Sequence, residues 1–173
     1  MKNHAVLFVC LGNICRSPMA EYVLRHRAAE AGVAHRIHVQ SCGTSGWHDG
    51  ENMHQGTRRT LQQHGIAAAG FSSSKIRRQD IDAYDFLIVM DNDNLAELEH
   101  LFGRQAHKIF KLTDLLPDSG YNEVPDPWYS GDFDETYTLV RAGSDALLQK
   151  LGLLYVCRYP QRGRLKDKCF RRP

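Results

Sequence analysis

The sequence predicts an α/β fold, a mostly parallel sheet with helices on both faces. Three observations carry this. Short continuous apolar runs alternate with stretches of helical spacing, as parallel strands joined by crossover helices require. At 173 residues the chain has the length of one ordinary domain. Its 42% hydrophobic and 24% charged residues match a folded globular chain and exclude the disordered and fibrous classes.

The elements follow in order. Residues 6–9 form an apolar run of the kind covered on both faces of a sheet. Ser17 then offers an N-cap and Pro18 a first helical residue, with Met19, Val23 and Leu24 at helical spacing. Residues 37–40 read as a second strand, followed by a Gly-rich turn, "SCGTSGWHDG". A helix spans about 54–64 and stops at Gly65. "YDFLIVM", residues 84–90, is the clearest strand, and Asp91 with Asn92 caps a helix over about 94–102. Residues 107–112 make a weaker fourth strand. The Pro-, Gly- and Asp-rich stretch 117–134 reads as an exposed loop, and a last helix fits about 134–151. This is a single three-layer domain over residues 1–154.

Residues 155–173 stand apart. They hold seven of the 22 Lys and Arg but one of the 20 Asp and Glu, leaving 15 basic against 19 acidic groups, a net of −4, in residues 1–154. Three readings compete for this basic tail: an arm for anionic partners, a solvated disordered end, or an artefact. The last two are favoured. With no recognised module and no aromatic platform, nucleic acid is not an expected partner. No apolar run nears the ~20 residues of a membrane helix and no signal peptide is evident, so a cytoplasmic protein without stable membrane insertion is expected. The five cysteines lack the spacing of a disulfide scaffold and read as reduced thiols.

The chemistry concentrates in "VCLGNICRSPMAE". Cys10 closes a buried strand, Gly12 and Asn13 tolerate positive φ, and a helix opens at once. Such a loop turns the backbone N–H groups of residues 11–17, Leu11, Gly12, Asn13, Ile14, Cys15, Arg16 and Ser17, inward as an anion nest at the positive end of a helix. A phosphate dianion fits it. Arg16 adds a two-pronged donor that Lys cannot supply. The same field favours a thiolate at Cys10, and Ser17 can donate a hydroxyl proton to it. A thiolate attacking phosphorus forms a phosphocysteine, and an acid speeds departure of the leaving oxygen. Asp126, braced by prolines in "VPDPWY", suits that acid and the later base. No metal or cofactor is called for: His35 and His38, three apart on a strand edge, face opposite sides. "DNDN" at 91–94 reads as helix capping, since it lacks the glycine and terminal Glu of a calcium loop.

"VCLGNICRSPMAE" with the later "DPWY", "SCGTSGW" and "MDNDN" resembles the low-molecular-weight protein tyrosine phosphatases, over about residues 4–153. The resemblance implies a four-stranded parallel sheet and hydrolysis of protein phosphotyrosine and small aryl phosphates through a cysteinyl phosphate. It makes Cys10 the nucleophile, Arg16 the phosphate ligand and Asp126 the general acid. It also makes Asn13, Ser17 and Ser41 the support of the loop, and Trp47, Trp128 and Tyr129 the walls of a slot for a phenyl ring. Cys15 takes the place of a second loop cysteine that traps oxidised Cys10 as a disulfide. "GTSGWH" is closer to bacterial members, which implies opposition to an autophosphorylating tyrosine kinase in exopolysaccharide export; a monomer is expected. Two alternatives stay open: a thiol-dependent arsenate reductase, which needs mid-chain cysteines absent between Cys42 and Cys157, and a catalytically inert homologue that binds phosphate or phosphotyrosine.

Overall fold

Side chains along β1 (His4–Cys10) divide between two cores, as the period of two in a strand dictates. Val6 and Phe8 point to one, Leu7 and Val9 to the other. The computed structural model describes residues 3–154; the basic tail predicted over 155–173 lies outside them. β1 pairs in parallel with β2 (Ile37–Gly43) and β3 (Phe86–Val89), and β3 with β4 (Ile109–Lys111), giving the order β2-β1-β3-β4.

One face is covered by α1 (Arg16–Glu30) and α6 (Phe133–Lys150), with α2 (Gln55–Gln63) packed against both. The other is covered by α4 (Asn92–Phe102), whose Leu98 joins Leu7, Val9, Leu87 and Val89. Helices on both faces explain why β3 and residues 5–10 of β1 are apolar. Phe8 is fully buried, and its truncation to Ala would cost about 3–5 kcal/mol. Because β1 lies between β2 and β3, the chain reverses direction across the sheet there. In open parallel sheets a crevice forms at that switch point, beyond the carboxyl ends of the strands. Among the described residues no helix is long and apolar enough to cross a membrane.

The structure corrects several boundaries. Ser17 is not the N-cap of α1; the helix starts at Arg16, and Cys15 stands at the cap position with no side-chain bond. The Ser-Pro pair mimics a cap signature, yet the Ser17 hydroxyl is used elsewhere. β2 runs on through Ser41, Cys42 and Gly43, which were read as turn. α4 begins at Asn92, capped by Asp91 alone, whose Oδ1 accepts from the Asn94 N–H at 2.7 Å. Stretch 117–134 is neither wholly exposed nor irregular: Val124 is buried, its N–H donating to Met90 O at 2.8 Å, and α5 (Pro127–Ser130) forms within it. Two 3₁₀ turns and the short α3 (Asp80–Ala83) also went unpredicted.

Candidate active site

Five residues, 11–15, join the end of β1 to the start of α1, and the carbonyls of Cys10, Leu11, Ile14 and Cys15 are taken by donors from the surrounding chain. Thr44 N–H donates to Cys10 O at 2.9 Å, Ser45 N–H to Leu11 O at 2.9 Å and His54 N–H to Ile14 O at 2.8 Å. Thr57 Oγ1 donates to Cys15 O at 3.2 Å. The opposite side of the same peptides therefore faces inward: the N–H groups of residues 12–17 have no protein acceptor among the described residues. Consecutive free donors at the head of a helix make an anion nest.

Two residues give the loop its shape. Asn13, at φ 54°, is the one non-glycine residue with positive φ among those described. Gly43 lets β2 approach, since a Cβ there would lie 2.8 Å from Leu11 O and 3.2 Å from Asn13 N. The Asn13 side chain then locks the turn. Its Nδ2 donates to Ser17 Oγ and Ser41 Oγ, each at 2.9 Å, and its Oδ1 accepts from Ser74 N–H at 3.0 Å. Ser41 Oγ in turn donates to Glu21 Oε2 at 2.6 Å. Burial pushes the Glu21 carboxyl above its usual range, against the pull of Ser41 and Arg25.

Ser17 Oγ lies 3.1 Å from Cys10 Sγ and 3.2 Å from Cys42 O. With the Asn13 amide donating to it, its single proton goes to one or the other, and a thiolate would claim it. Arg16 is 3% exposed, with Nη1 donating to Asp91 Oδ2 at 2.6 Å and to Val124 O at 3.1 Å, and Nη2 to Asp126 Oδ2 at 2.8 Å. Burial opposes its charge, but Cys10, Asp126 and Asp91 outweigh that and hold the guanidinium protonated. Cys15 behaves differently. Burial, reinforced by the charges of Cys10 and Asp126, pushes its thiol up to about 12.

These groups open on a cavity of about 170 Å³. Cys10, Leu11, Gly12, Ile14, Cys15 and Arg16 form its floor; Asp126, Trp47, Trp128 and Tyr129 form its walls. Asn13, Ser17 and Ser41 lie beneath the floor as buried braces. The family model for low molecular weight phosphotyrosine protein phosphatases matches residues 5–153.

The chain belongs to this family. YfkJ of Bacillus subtilis is 41% identical over 148 residues, covering 85% of this chain and 95% of YfkJ. PtpA of Staphylococcus aureus is 36% identical over 143 residues, covering 83% and 90%. The crystal structure of YfkJ superposes with a TM-score of 0.85 over 88% of this chain and 96% of that one, at 40% identity. That of a Streptococcus pyogenes low-molecular-weight phosphatase gives 0.75 over 87% and 93%, at 38%. The chain is thus a phosphatase of protein phosphotyrosine, built on a four-stranded parallel sheet.

Three residues at or beside this cavity escaped sequence reasoning. His48 lines the cavity, its Nδ1 2.8 Å from Glu51 Oε2 and its ring beside Gly12. Its place next to Trp47 was the available signal. Asp91 was read only as a cap, yet its second oxygen orients Arg16. His54 also contributes, stacking on Phe133 at 5.1 Å and meeting Trp128 edge-on at 5.6 Å.

Proposed function

We propose that this phosphatase works by covalent catalysis at Cys10. The observation that carries the reading is the cavity itself, where the Cys10 thiol, a set of free backbone donors, a charged Arg and a carboxylate converge. The phosphate dianion sits in the nest and takes N–H bonds from residues 12–17, with Arg16 turning part of its fork from Asp126 to phosphate oxygens. The Cys10 thiolate attacks phosphorus, the bond from phosphorus to the tyrosine oxygen breaks, and protonated Asp126 gives that oxygen its proton. Water then attacks the cysteinyl phosphate, its proton passes to the Asp126 carboxylate, and the S–P bond breaks to release phosphate and the thiolate. In support of both roles, the other oxygen of Asp126, Oδ1, accepts from the Trp128 N–H at 3.0 Å, which orients the carboxyl. Trp47, Trp128 and Tyr129 hold the phenyl ring.

Cys15 completes the reading as a resolving thiol. Peroxide converts the Cys10 thiolate to a sulfenic acid, and the Cys15 thiol displaces water from it to form a disulfide. Oxidation makes Cys10 neutral, which removes one cause of the high Cys15 value.

The test is hydrolysis of p-nitrophenyl phosphate with EDTA present, wild type against Asp126→Ala across pH. Turnover in the wild type, with a loss of about 10²–10⁴-fold in the variant and disappearance of the alkaline limb, supports the scheme. An unaltered pH profile in Asp126→Ala removes Asp126 as the acid.

A further inference from the structure

A second cavity, of about 440 Å³, adjoins the catalytic one on the α4 side. The two share Leu11, Arg16, Asp126 and Tyr129, so they meet at the Arg16 fork. The outer wall of the second is the first two turns of α4, with Asp91, Asp93, Asn94 and Glu97. Among the described residues Arg16 is its one cation, already bound to Asp91 and Asp126. Lys111, at the same end of α4, is engaged by Asn92 Oδ1 at 2.9 Å and Asn122 O at 2.8 Å. Among the described residues Asp93 and Glu97 form no ion pair.

Helix stability accounts for part of this. Asp91 caps α4, and an acid at Asp93 suits the positive end of the helix. It does not account for Glu97, a turn further on, nor for Asn94. Asn94 is 2% exposed, yet its Oδ1 is buried without a hydrogen-bond partner among the described residues. Buried acceptors are almost always satisfied, so one lining an acidic cavity points to a donor that arrives from outside. Tyr129, 82% exposed where the two cavities meet, offers its ring to an alkyl stem or a guanidinium plane.

We propose that this cavity is a subsite for the Lys or Arg side chain of a residue flanking the phosphotyrosine of the substrate. It rests on the function proposed above and adds a substrate class. With phosphate in the nest, the neighbouring field becomes more negative and favours a cation further. The ammonium or guanidinium donates to Asp93 and Glu97 and to Asn94 Oδ1.

The experiment uses phosphotyrosine peptides identical but for one flanking residue, Lys, Ala or Glu, placed in turn on each side. In low salt the Lys peptide on one side should exceed the Glu peptide by about threefold to tenfold in kcat/KM, an advantage that shrinks as salt rises. In Asp93→Asn/Glu97→Gln the ratio should fall towards one. In Asp82→Asn, which removes an exposed carboxylate of α3 before the amino end of β3, it should persist. Equal rates for the three peptides on both sides, or a preference that survives the double variant, would overturn the subsite. Absence of turnover on every peptide and on p-nitrophenyl phosphate strikes the catalytic reading instead. Peptide binding to Cys10→Ser then still decides: a Lys preference supports the subsite, and equal Kd values for Lys and Glu peptides refute it.

Discussion

Beneath the floor of the Cys10 cavity Asn13 is 1% exposed and its side chain makes three hydrogen bonds. At the rim Tyr129 is 82% exposed and its hydroxyl makes none among the described residues. Trp47, at 76%, is held as lightly, while Trp128 rests on His48 and His54. The contrast follows from what each part must do. A nest of backbone donors stabilises charge only if it is fixed before the reaction begins, because reorganisation would consume the gain. The rim meets protein surfaces of varied shape, and aromatic faces give contact area with little demand on geometry. Disturbing the floor should therefore change turnover, and disturbing the rim should change binding.

The largest effect is expected from Cys10→Ser, which should lower kcat by at least about 10⁴-fold while inorganic phosphate still binds. Isothermal titration with phosphate checks the second part; loss of phosphate binding would mean that Cys10, not the backbone, holds the anion. Next comes Gly43→Ala. A methyl group 2.8 Å from Leu11 O must displace the loop, with a stability cost of about 1–3 kcal/mol and a fall in kcat of about 10²-fold. Urea melts and steady-state rates on the same protein separate the two.

Cys15→Ala should make peroxide inactivation irreversible to dithiothreitol, as Cys10 passes beyond the sulfenic acid. Full recovery of activity in that variant would remove the disulfide. At the rim, Trp47→Ala or Tyr129→Ala should raise KM for a phosphotyrosine peptide by about threefold to tenfold with kcat retained. A matching fall in kcat would place these rings in the chemistry instead.

The smallest effect concerns Glu21. Its folded value is raised above 4.5 by burial, so its stabilising contribution is present at acid pH and is lost as pH rises through the raised value. Glu21→Gln should lose less stability than the wild type over that rise, by a few tenths to about 1 kcal/mol, measured as urea midpoints at several pH values. An identical pH slope in the two proteins would contradict the burial argument.

What the sequence revealed follows the same division. The cradle is contiguous from Cys10 to Ser17, so strand, nest and helix are visible in one stretch, and the prolines around Asp126 mark it as held. The sheet emerged because β3 and β1 beyond His4, covered on both faces, are continuous apolar runs. Partners brought together only by the sheet stayed hidden. Asp91 lies 75 positions from Arg16 and reaches it because β3 pairs beside β1. One oxygen of Asp91 performs the capping that the sequence advertises; the other does what the sequence cannot display. Ser17 misled for a related reason. A Ser-Pro pair at a helix start signals a cap, but here the helix opens two residues earlier, at Arg16, and leaves its first N–H groups free. Glu21, a charged residue within a helix, gave no sign that it sits buried beneath the loop, where it receives the Ser41 hydroxyl.

The most direct test of covalent catalysis is an acid quench of Asp126→Ala during turnover of p-nitrophenyl phosphate, followed by mass spectrometry of the peptide carrying Cys10. The account predicts a phosphoryl group on Cys10, because the phosphoenzyme lacks the base that activates water. It predicts none in Cys10→Ser. Phosphate on another residue, or burst release of p-nitrophenol with unmodified Cys10, would contradict it.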